Sequence, residues 1–264
     1  MAGTDSTQPT ATGPAPVVVL VRPQMGENIG AAARAMKNFG LAEMRLVAPR
    51  DGWPNDKAVA MSSRADDILS AATLFDDTEA AVADLHALYA TTARRRDMVK
   101  PALTPRQAAA EMRARIAAGE RVGVLFGAEK AGLDNDDVTL ARAIIQVPTN
   151  PAFGSINLAQ AVLLLGYEWF QTADEAAASL APGDTPASQA ERAFFFSRLE
   201  AELDRQGFLK PPEKRPNMVR NIRNIFARAD LSDQEVRTLH GVVSALIRRD
   251  DATTGNGGGD GDPA

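Results

Sequence analysis

The sequence predicts an α/β fold, in which helices cover both faces of a parallel sheet, followed by a small C-terminal helical module. Two observations support this prediction. Between residues 16 and 170, short apolar runs alternate with stretches of helical periodicity, and strands separated by helices form parallel sheets that are buried on both faces. After residue 188, only helical patterns follow.

Five apolar runs have the length and composition of buried strands. The first, PVVVLV at 16–21, is continuous and β-branched, and it ends at Arg22-Pro23. The other predicted strands cover residues 44–49, 87–93, 121–127 and 143–148.

The intervening segments predict helices. In 28–39 the apolar residues recur at helical spacing up to Gly40, and in 104–119 Thr104 is the expected N-cap with Pro105 in the first turn. Further helices are predicted at 56–70, 78–85, 134–142 and 155–170, and in the C-terminal part at 189–206, 216–229 and 232–249. The domain boundaries that follow are a leader at 1–15, an α/β domain at 16–172, a linker at 173–188, a helical module at 189–249 and a tail at 250–264.

Composition limits the classes of function. The 264 residues include no cysteine, which excludes disulfides and thiolate metal sites, and the two histidines lie far apart, which argues against a zinc site. No apolar run reaches the length of a membrane span, and the N-terminus lacks the features of a secretory signal. We therefore expect a cytoplasmic protein with no bound metal and no membrane contact.

The net charge of −5 argues weakly against a nucleic-acid-binding protein, but the cations are clustered. Residues 205–228 carry seven lysines or arginines and one acid, Glu213. Phosphate binding requires a local positive field rather than a basic average, although a solvated helix face explains such a run equally well. The candidate RNA-binding residues are Arg94, Arg95, Arg96, Lys210, Lys214, Arg215, Arg220 and Arg223.

Glycine-containing turns follow three of the predicted strands, at 22–34, 127–133 and 149–158. Ligands of open parallel sheets bind outside the carboxyl ends of the strands, so the three turns are expected to form one site. None of them contains a dinucleotide fingerprint or a Walker phosphate loop.

Each turn carries residues with a possible chemical role. Gly30 shares one helix face with Arg34 and leaves room there for a ligand or another backbone. Gly127 would allow close approach to a ligand, and Glu129 can cap amides or anchor a cation. Each residue also has a plain structural explanation, such as a surface arginine or an N-terminal acid.

Taken together, the three segments resemble the signature motifs of the SpoU/TrmH family of RNA ribose 2′-O-methyltransferases. The first is N-x-G-x-x-x-R from Asn28 to Arg34, and the second is F-G-x-E-x-x-G-L from Phe126 to Leu133. The third is S-x-N-L from Ser155 to Leu158, with Y-E downstream at 167–168. The C-terminal part further resembles the TrmJ branch, which methylates the ribose at position 32 of the tRNA anticodon loop.

The resemblance implies a SPOUT fold with a deep trefoil knot in its C-terminal part, a homodimer, tRNA as the substrate and S-adenosylmethionine as the methyl donor. The implied catalytic residues are Arg34, Asn28, Glu129, Ser155 and Asn157. The implied cofactor-binding residues are Thr91, Thr92, Ala93, Gly127, Val147, Gly154, Ser155 and Ile156. Thr92 and Gly154 stand where this branch often has serine. Threonine keeps a hydroxyl and glycine keeps the loop flexible, so both positions remain candidates.

Two alternative functions are a ribosomal-RNA methyltransferase of the same family and a non-catalytic RNA-binding protein on this fold.

Overall fold

The computed structural model describes residues 13–92, 100–172 and 185–254, and these ranges contain one seven-stranded sheet. The strands lie in the order β3-β2-β1-β6-β4-β7-β5, and every neighbouring pair is parallel. The strands are Val17–Val21 (β1), Met44–Val47 (β2), Thr73–Phe75 (β3), Ala87–Thr91 (β4), Ala102–Leu103 (β5), Val122–Phe126 (β6) and Ala143–Ile145 (β7).

Ten helices accompany the sheet in the described ranges. They are Gly26–Asn38 (α1), Asp56–Met61 (α2), Asp66–Ala71 (α3), Thr78–Val82 (α4), Pro105–Ala117 (α5), Asn135–Leu140 (α6), Leu158–Gln171 (α7), Gln189–Arg205 (α8), Arg215–Ala227 (α9) and Asp233–Thr254 (α10). The alternation of strands and helices confirms the predicted α/β class.

Both faces of the sheet are buried, which explains why β1 is apolar without alternation. Val18 and Leu20 face a core layer that contains Met36 of α1, Met112 of α5 and Trp169 of α7. The alternate residues of β1 face the opposite layer with α4 and α6. Successive side chains of a strand point to opposite faces, so a doubly covered strand must be apolar at every position.

The predicted helix at 56–70 is wrong, because the chain forms two short helices with a break between them. Ser63 and Arg64 occupy the break with φ values of 48° and 74°. A helix cannot pass through two consecutive left-handed residues. The sequence shows no proline or glycine in this break and therefore gives no warning of it.

Two short strands, β3 and β5, were not predicted from the sequence. Both are outermost in the sheet and only three and two residues long. Strands this short show too little periodicity to be recognised. The last predicted helix of the α/β region begins at Leu158 rather than at residue 155, because Asn157 is its N-cap.

The three C-terminal helices pack around their own apolar centre. Phe195 and Phe196 of α8 lie there with Val236 and Val243 of α10, and Phe226 of α9 packs against them. The backbone amides of Gln189 and Ala190 donate to the carbonyl oxygens of Leu85 and Ala83, at 2.9 and 3.0 Å, which joins the start of α8 to the α/β region.

Candidate functional site

The first two glycine turns meet because the strands that precede them are neighbours. β1 pairs with β6, so the turns after them leave the sheet at the same edge. Asn28 Nδ2, in the first turn of α1, donates to Glu129 Oε1 at 2.7 Å. The strand order therefore brings the first two sequence motifs into direct contact.

The third turn reaches the same point through Asn157. Its Nδ2 donates to Asn28 Oδ1 at 2.9 Å, and its Oδ1 accepts from the amide of Ala159 at 2.9 Å. Asn157 is thus both the N-cap of α7 and a link to α1. The side chains of Asn157, Asn28 and Glu129 form one hydrogen-bonded chain, which we call the amide relay.

Glu129 also caps the start of α1. Its carboxylate accepts from the backbone amides of Gln24, at 2.7 Å, and Met25, at 3.2 Å. The N-cap residue of α1, Met25, has no side-chain cap of its own, so Glu129 satisfies amides that would otherwise lack a partner. Of the two roles expected for Glu129, amide capping is the one observed.

A cavity of about 310 Å³ lies beside the amide relay. It opens at the carboxyl ends of β4, β6 and β7, which are adjacent in the sheet. Seven of the eight residues implied for the cofactor line it, and the eighth, Ala93, lies outside the described residues. The seven are Thr91, Thr92, Gly127, Val147, Gly154, Ser155 and Ile156.

The cavity also has an apolar wall, which includes Phe126, Ile145, Leu158 and Leu165. Phe126 and Leu158 belong to the second and third sequence motifs, but Ile145 and Leu165 belong to none. These two were predicted only as strand or helix core, because an apolar side chain carries no local sign of facing a cavity. Thr91 Oγ1 donates to the carbonyl of Leu125 at 2.9 Å, so this hydroxyl is already engaged within the sheet.

Two glycines are required by close contacts with the protein's own backbone. A Cβ on Gly127 would lie 2.1 Å from the amide nitrogen of Leu133, because the loop 127–133 folds back on itself. A Cβ on Gly30 would lie 2.1 Å from the carbonyl oxygen of Ala58, where α1 and α2 touch. Gly127 also lines the cavity, so the expectation that it allows close approach to a ligand stays a prediction, and the fold of the loop requires a glycine there in any case.

Arg34 lies apart from the amide relay. It is exposed on α1, about 9 Å along the helix axis from Asn28, since each residue adds about 1.5 Å. Its NH1 donates to Ser63 Oγ at 3.0 Å. Arg34 is not among the residues that line the cavity, and its side-chain hydrogen bond goes to Ser63 rather than to one of the other four candidate catalytic residues.

Three of the candidate RNA-binding cations form ion pairs within the chain. Arg215 pairs with Asp204 at 2.5 Å, and Arg220 pairs with Asp136 at 2.6 Å. Arg223 lies 2.7 Å from Glu200 and 3.1 Å from Glu79. The acids lie up to 144 residues away, so a count of charges within 205–228 could not reveal this neutralisation.

The other predicted cations differ in their surroundings. Lys210 and Lys214 are exposed, and neither has an ion-pair partner among the residues that the structure describes. Arg94, Arg95 and Arg96 lie outside the described residues. Within the described ranges, no group of three or more metal-binding side chains was found, and no helix is long and apolar enough to cross a membrane.

A buried ionic network, which the sequence did not reveal, connects the C-terminal helices to the sheet. Asp230, between α9 and α10, accepts from Arg115 at 2.6 Å and from Arg142 at 2.7 and 2.8 Å. Burial opposes its ionisation, but hydrogen bonds from Arg142 and the charge of Arg115 hold the pKa of Asp230 below its ordinary value. Arg115 also pairs with Glu120 at 2.9 Å.

Comparison with known proteins agrees with the motifs and the geometry. Residues 15–167 match the model of the SpoU rRNA methylase family, and residues 190–255 match that of the tRNA methyltransferase TrmJ C-terminal domain. The chain is 36% identical over 237 residues to a tRNA (cytidine/uridine/adenosine-2′-O-)-methyltransferase TrmJ of Pseudomonas aeruginosa, an alignment that covers 86% of this chain and 91% of the relative.

A second curated relative and one solved structure are similar over comparable lengths. A tRNA (cytidine/uridine-2′-O-)-methyltransferase TrmJ of Sodalis glossinidius is 34% identical, with 87% of this chain and 90% of the relative covered. The crystal structure of TrmJ from Z. mobilis ZM4 superposes with a TM-score of 0.81 at 47% identity, covering 88% of this chain and 99% of that one. The chain therefore belongs to the SpoU methylase family, and its C-terminal part carries the domain found in TrmJ methyltransferases.

Proposed function

We propose that this protein is an S-adenosylmethionine-dependent tRNA ribose 2′-O-methyltransferase that acts on the nucleotide, cytidine or uridine, at position 32 of the anticodon loop. The observation that carries the proposal is the convergence of three distant sequence motifs in one amide relay beside a cavity. Support for tRNA rather than ribosomal RNA comes from the C-terminal domain match and from the names of the similar proteins.

The cavity suits a small organic cofactor. Its volume of about 310 Å³ is at the lower end of the range for small-molecule sites, and it combines an apolar wall with loop backbone. Gly154 leaves open space, since a Cβ there would meet only Thr149 Oγ1, at 3.3 Å. Residues Thr92, Gly127, Val147, Ser155 and Ile156 would hold S-adenosylmethionine, which supplies an activated methyl group when it is bound.

The protein must orient the ribose and help its hydroxyl proton to leave. Arg34 is the residue we assign to this task. A guanidinium stays protonated in proteins, so Arg34 does not act as a base. It would instead clamp a phosphate next to the target ribose and stabilise negative charge that develops on the 2′ oxygen, while a phosphate oxygen or water accepts the proton.

The amide relay would shape the site around the target nucleotide. Glu129 and Asn157 hold the amide of Asn28 in one orientation, because its NH₂ donates to the carboxylate and its oxygen accepts from Asn157. Ser155 lines the cavity and is exposed, which suits contact with the substrate or cofactor. We assign these four residues to shaping the pocket and holding the substrate nucleotide.

We further propose a homodimer whose active site lies near the interface, and a trefoil knot in the C-terminal part of the α/β region. The dimer is supported by an aromatic surface on α7, where Tyr167 and Phe170 are almost half exposed and contact Phe39. We propose a methyltransferase domain at 16–172 and a tRNA-binding module at 189–249, separated by a linker at 173–188. The family matches to 15–167 and 190–255 support this division.

The test is methyl transfer from radiolabelled S-adenosylmethionine to unmodified tRNA, followed by mapping of the 2′-O-methyl group. We expect one product, at position 32, and no product when that nucleotide carries a 2′-deoxyribose. Transfer to ribosomal RNA but not to tRNA would identify the alternative enzyme. Binding of tRNA without any transfer would identify a non-catalytic RNA-binding protein.

A further inference from the structure

The loop between α2 and α3 provides the hydrogen-bond acceptor that holds Arg34. Ser63 Oγ lies 3.0 Å from Arg34 NH1, and both residues are exposed. None of the three sequence motifs includes Ser63. The contact links an unassigned loop to the arginine that the proposed function places at the substrate.

The backbone of this loop is strained at the point of contact. Ser63 and Arg64 have φ values of 48° and 74°, although neither is glycine. Non-glycine residues in the left-handed region carry a conformational cost and persist where the surrounding structure holds them, often at functional sites. The left-handed backbone at Ser63 and Arg64 separates α2 from α3, and it places the Ser63 hydroxyl beside α1.

Two further contacts hold the loop in place. Lys37, one helical turn after Arg34, donates from Nζ to the carbonyl of Arg64 at 2.9 Å and pairs with Asp67 at 2.7 Å. Ser62 is fully buried, and its hydroxyl donates to Asp66 at 2.7 Å. Both sides of the strained pair are therefore anchored, so the position of Ser63 is well defined.

Ser63 is a neutral partner, and this distinguishes Arg34 from the paired cations of α9. Arg215 and Arg220 each meet a carboxylate, which offsets their charge. Within the described ranges, no carboxylate lies at ion-pair distance from Arg34. A hydroxyl acceptor fixes the guanidinium while leaving its full positive charge available to an anion.

We propose that Ser63 is a positioning residue, which orients the Arg34 guanidinium toward the phosphate beside the target ribose. This inference rests on the proposed function. Ser63 acts through Arg34, and its contribution is to catalytic turnover rather than to binding of the methyl donor.

The test compares Ser63→Gly with wild type and with Ser70→Ala. Glycine removes the hydroxyl and also relieves the left-handed strain, so stability to urea should be unchanged or higher. We expect kcat for tRNA methylation to fall about tenfold, because one hydrogen bond to a charged group is lost, and binding of S-adenosylmethionine to be unchanged. Ser70→Ala, which removes an exposed hydroxyl of α3 that bonds to its own helix, should keep wild-type kcat.

Two further variants separate positioning from a general effect on the loop. Ser63→Asn keeps an acceptor and tolerates positive φ, so it should recover a substantial part of kcat. In an Arg34→Lys background, Ser63→Gly should change kcat by less than about twofold, because residues that act through one contact are not additive. A kcat that stays at the wild-type level in Ser63→Gly, no recovery in Ser63→Asn, or a tenfold effect that persists in the Arg34→Lys background would each overturn the inference.

The outcome also separates this inference from the proposed role of Arg34. If Arg34→Lys has wild-type kcat, the assignment of Arg34 is wrong. If Arg34→Lys is impaired and Ser63→Gly is not, Arg34 keeps its role and only the positioning by Ser63 is refuted.

Discussion

Asn28 donates a 2.7 Å hydrogen bond to Glu129, although 101 residues separate the two along the chain. The contact exists because β1 and β6 are adjacent parallel strands, so that the residues following each strand meet at one edge. Asn28 is the central member of the amide relay and therefore the residue whose loss disconnects all three motifs.

We expect Asn28→Ala to lower methyl transfer at least tenfold and to reduce the free energy of unfolding by about 1 kcal/mol, since it removes two side-chain hydrogen bonds. Steady-state kinetics and urea unfolding measure the two effects. Asn38→Ala, an exposed asparagine at the end of the same helix, is the matched control. Full activity in Asn28→Ala would show that the relay has no catalytic importance.

Arg34→Ala should abolish methyl transfer and leave the dissociation constant of S-adenosylmethionine within about twofold of wild type. The physical reason is that the side chain lies outside the lining of the cavity, while one charged contact to a transition state contributes several factors of ten in rate. Calorimetry measures donor binding, and Arg121→Ala, just before β6 and therefore at the opposite end of the sheet, controls for the loss of an exposed arginine. Parallel loss of donor binding and activity would contradict this assignment.

The C-terminal cations should differ in their contribution to tRNA affinity. The double variant Lys210→Gln/Lys214→Gln should reduce the slope of log K against log salt by about 1–2, if each lysine meets one phosphate. Filter binding at several salt concentrations measures the slope. An unchanged slope would remove both lysines from the RNA interface.

The contribution of Arg220 to tRNA binding can be tested separately by changing its ion-pair partner, Asp136. In Asp136→Asn the guanidinium loses its carboxylate, which lies 2.6 Å away. We expect tighter tRNA binding and a steeper salt slope, because Arg220 no longer has to leave an ion pair to reach a phosphate. Weaker or unchanged binding would indicate that Arg220 holds α9 against α6 and does not contact RNA.

Asp230→Asn should reduce the free energy of unfolding by about 1–2 kcal/mol, because Arg115 and Arg142 lose a partly buried carboxylate partner. Asp230 has a left-handed backbone, with φ 49°, which asparagine also tolerates. The substitution therefore removes the negative charge without straining the backbone. Because the pKa of Asp230 is lowered in the folded state, its stabilisation is present at neutral pH and is lost as pH falls through that pKa. The difference between the two proteins in urea should therefore shrink in acid, and Asp76→Asn, at an exposed position, is the surface control.

Lys100 also makes stability rise with pH, but in the alkaline range and because its charged form is the one that burial disfavours. Burial lowers the pKa of Lys100 from 10.5 to about 8, and its ammonium group donates to the carbonyls of Thr139 and Ala141. The unfolded chain binds more protons than the folded one between these values, so stability rises with pH there. Relative to Lys100→Met, the wild type should gain about 2 kcal/mol in free energy of unfolding between pH 7 and pH 10. Lys214→Met is the control at an exposed position, and a difference that does not change with pH would contradict the expectation.

Local sequence patterns correctly predicted those parts of the fold that depend on interactions between residues close together in the sequence. The apolar run of β1 and the N-cap of α5 at Thr104 appear in the structure where the sequence placed them. The break at Ser63 and Arg64 was missed, because long-range contacts from Lys37 hold a backbone conformation for which no local residue signals a preference.

The alternation of strands and helices, the order of the three motifs and membership of the family follow from the amino-acid sequence, since periodicity and motif spacing are properties of neighbouring residues. The pairing of charges, in contrast, depends on the folded chain. Arg220 and Arg223 belong to a basic stretch in the sequence, yet in the folded chain each lies beside a carboxylate from the α/β region. The reason is physical: Coulomb attraction depends on distance in space, and the order of strands in the sheet, rather than separation along the chain, sets that distance.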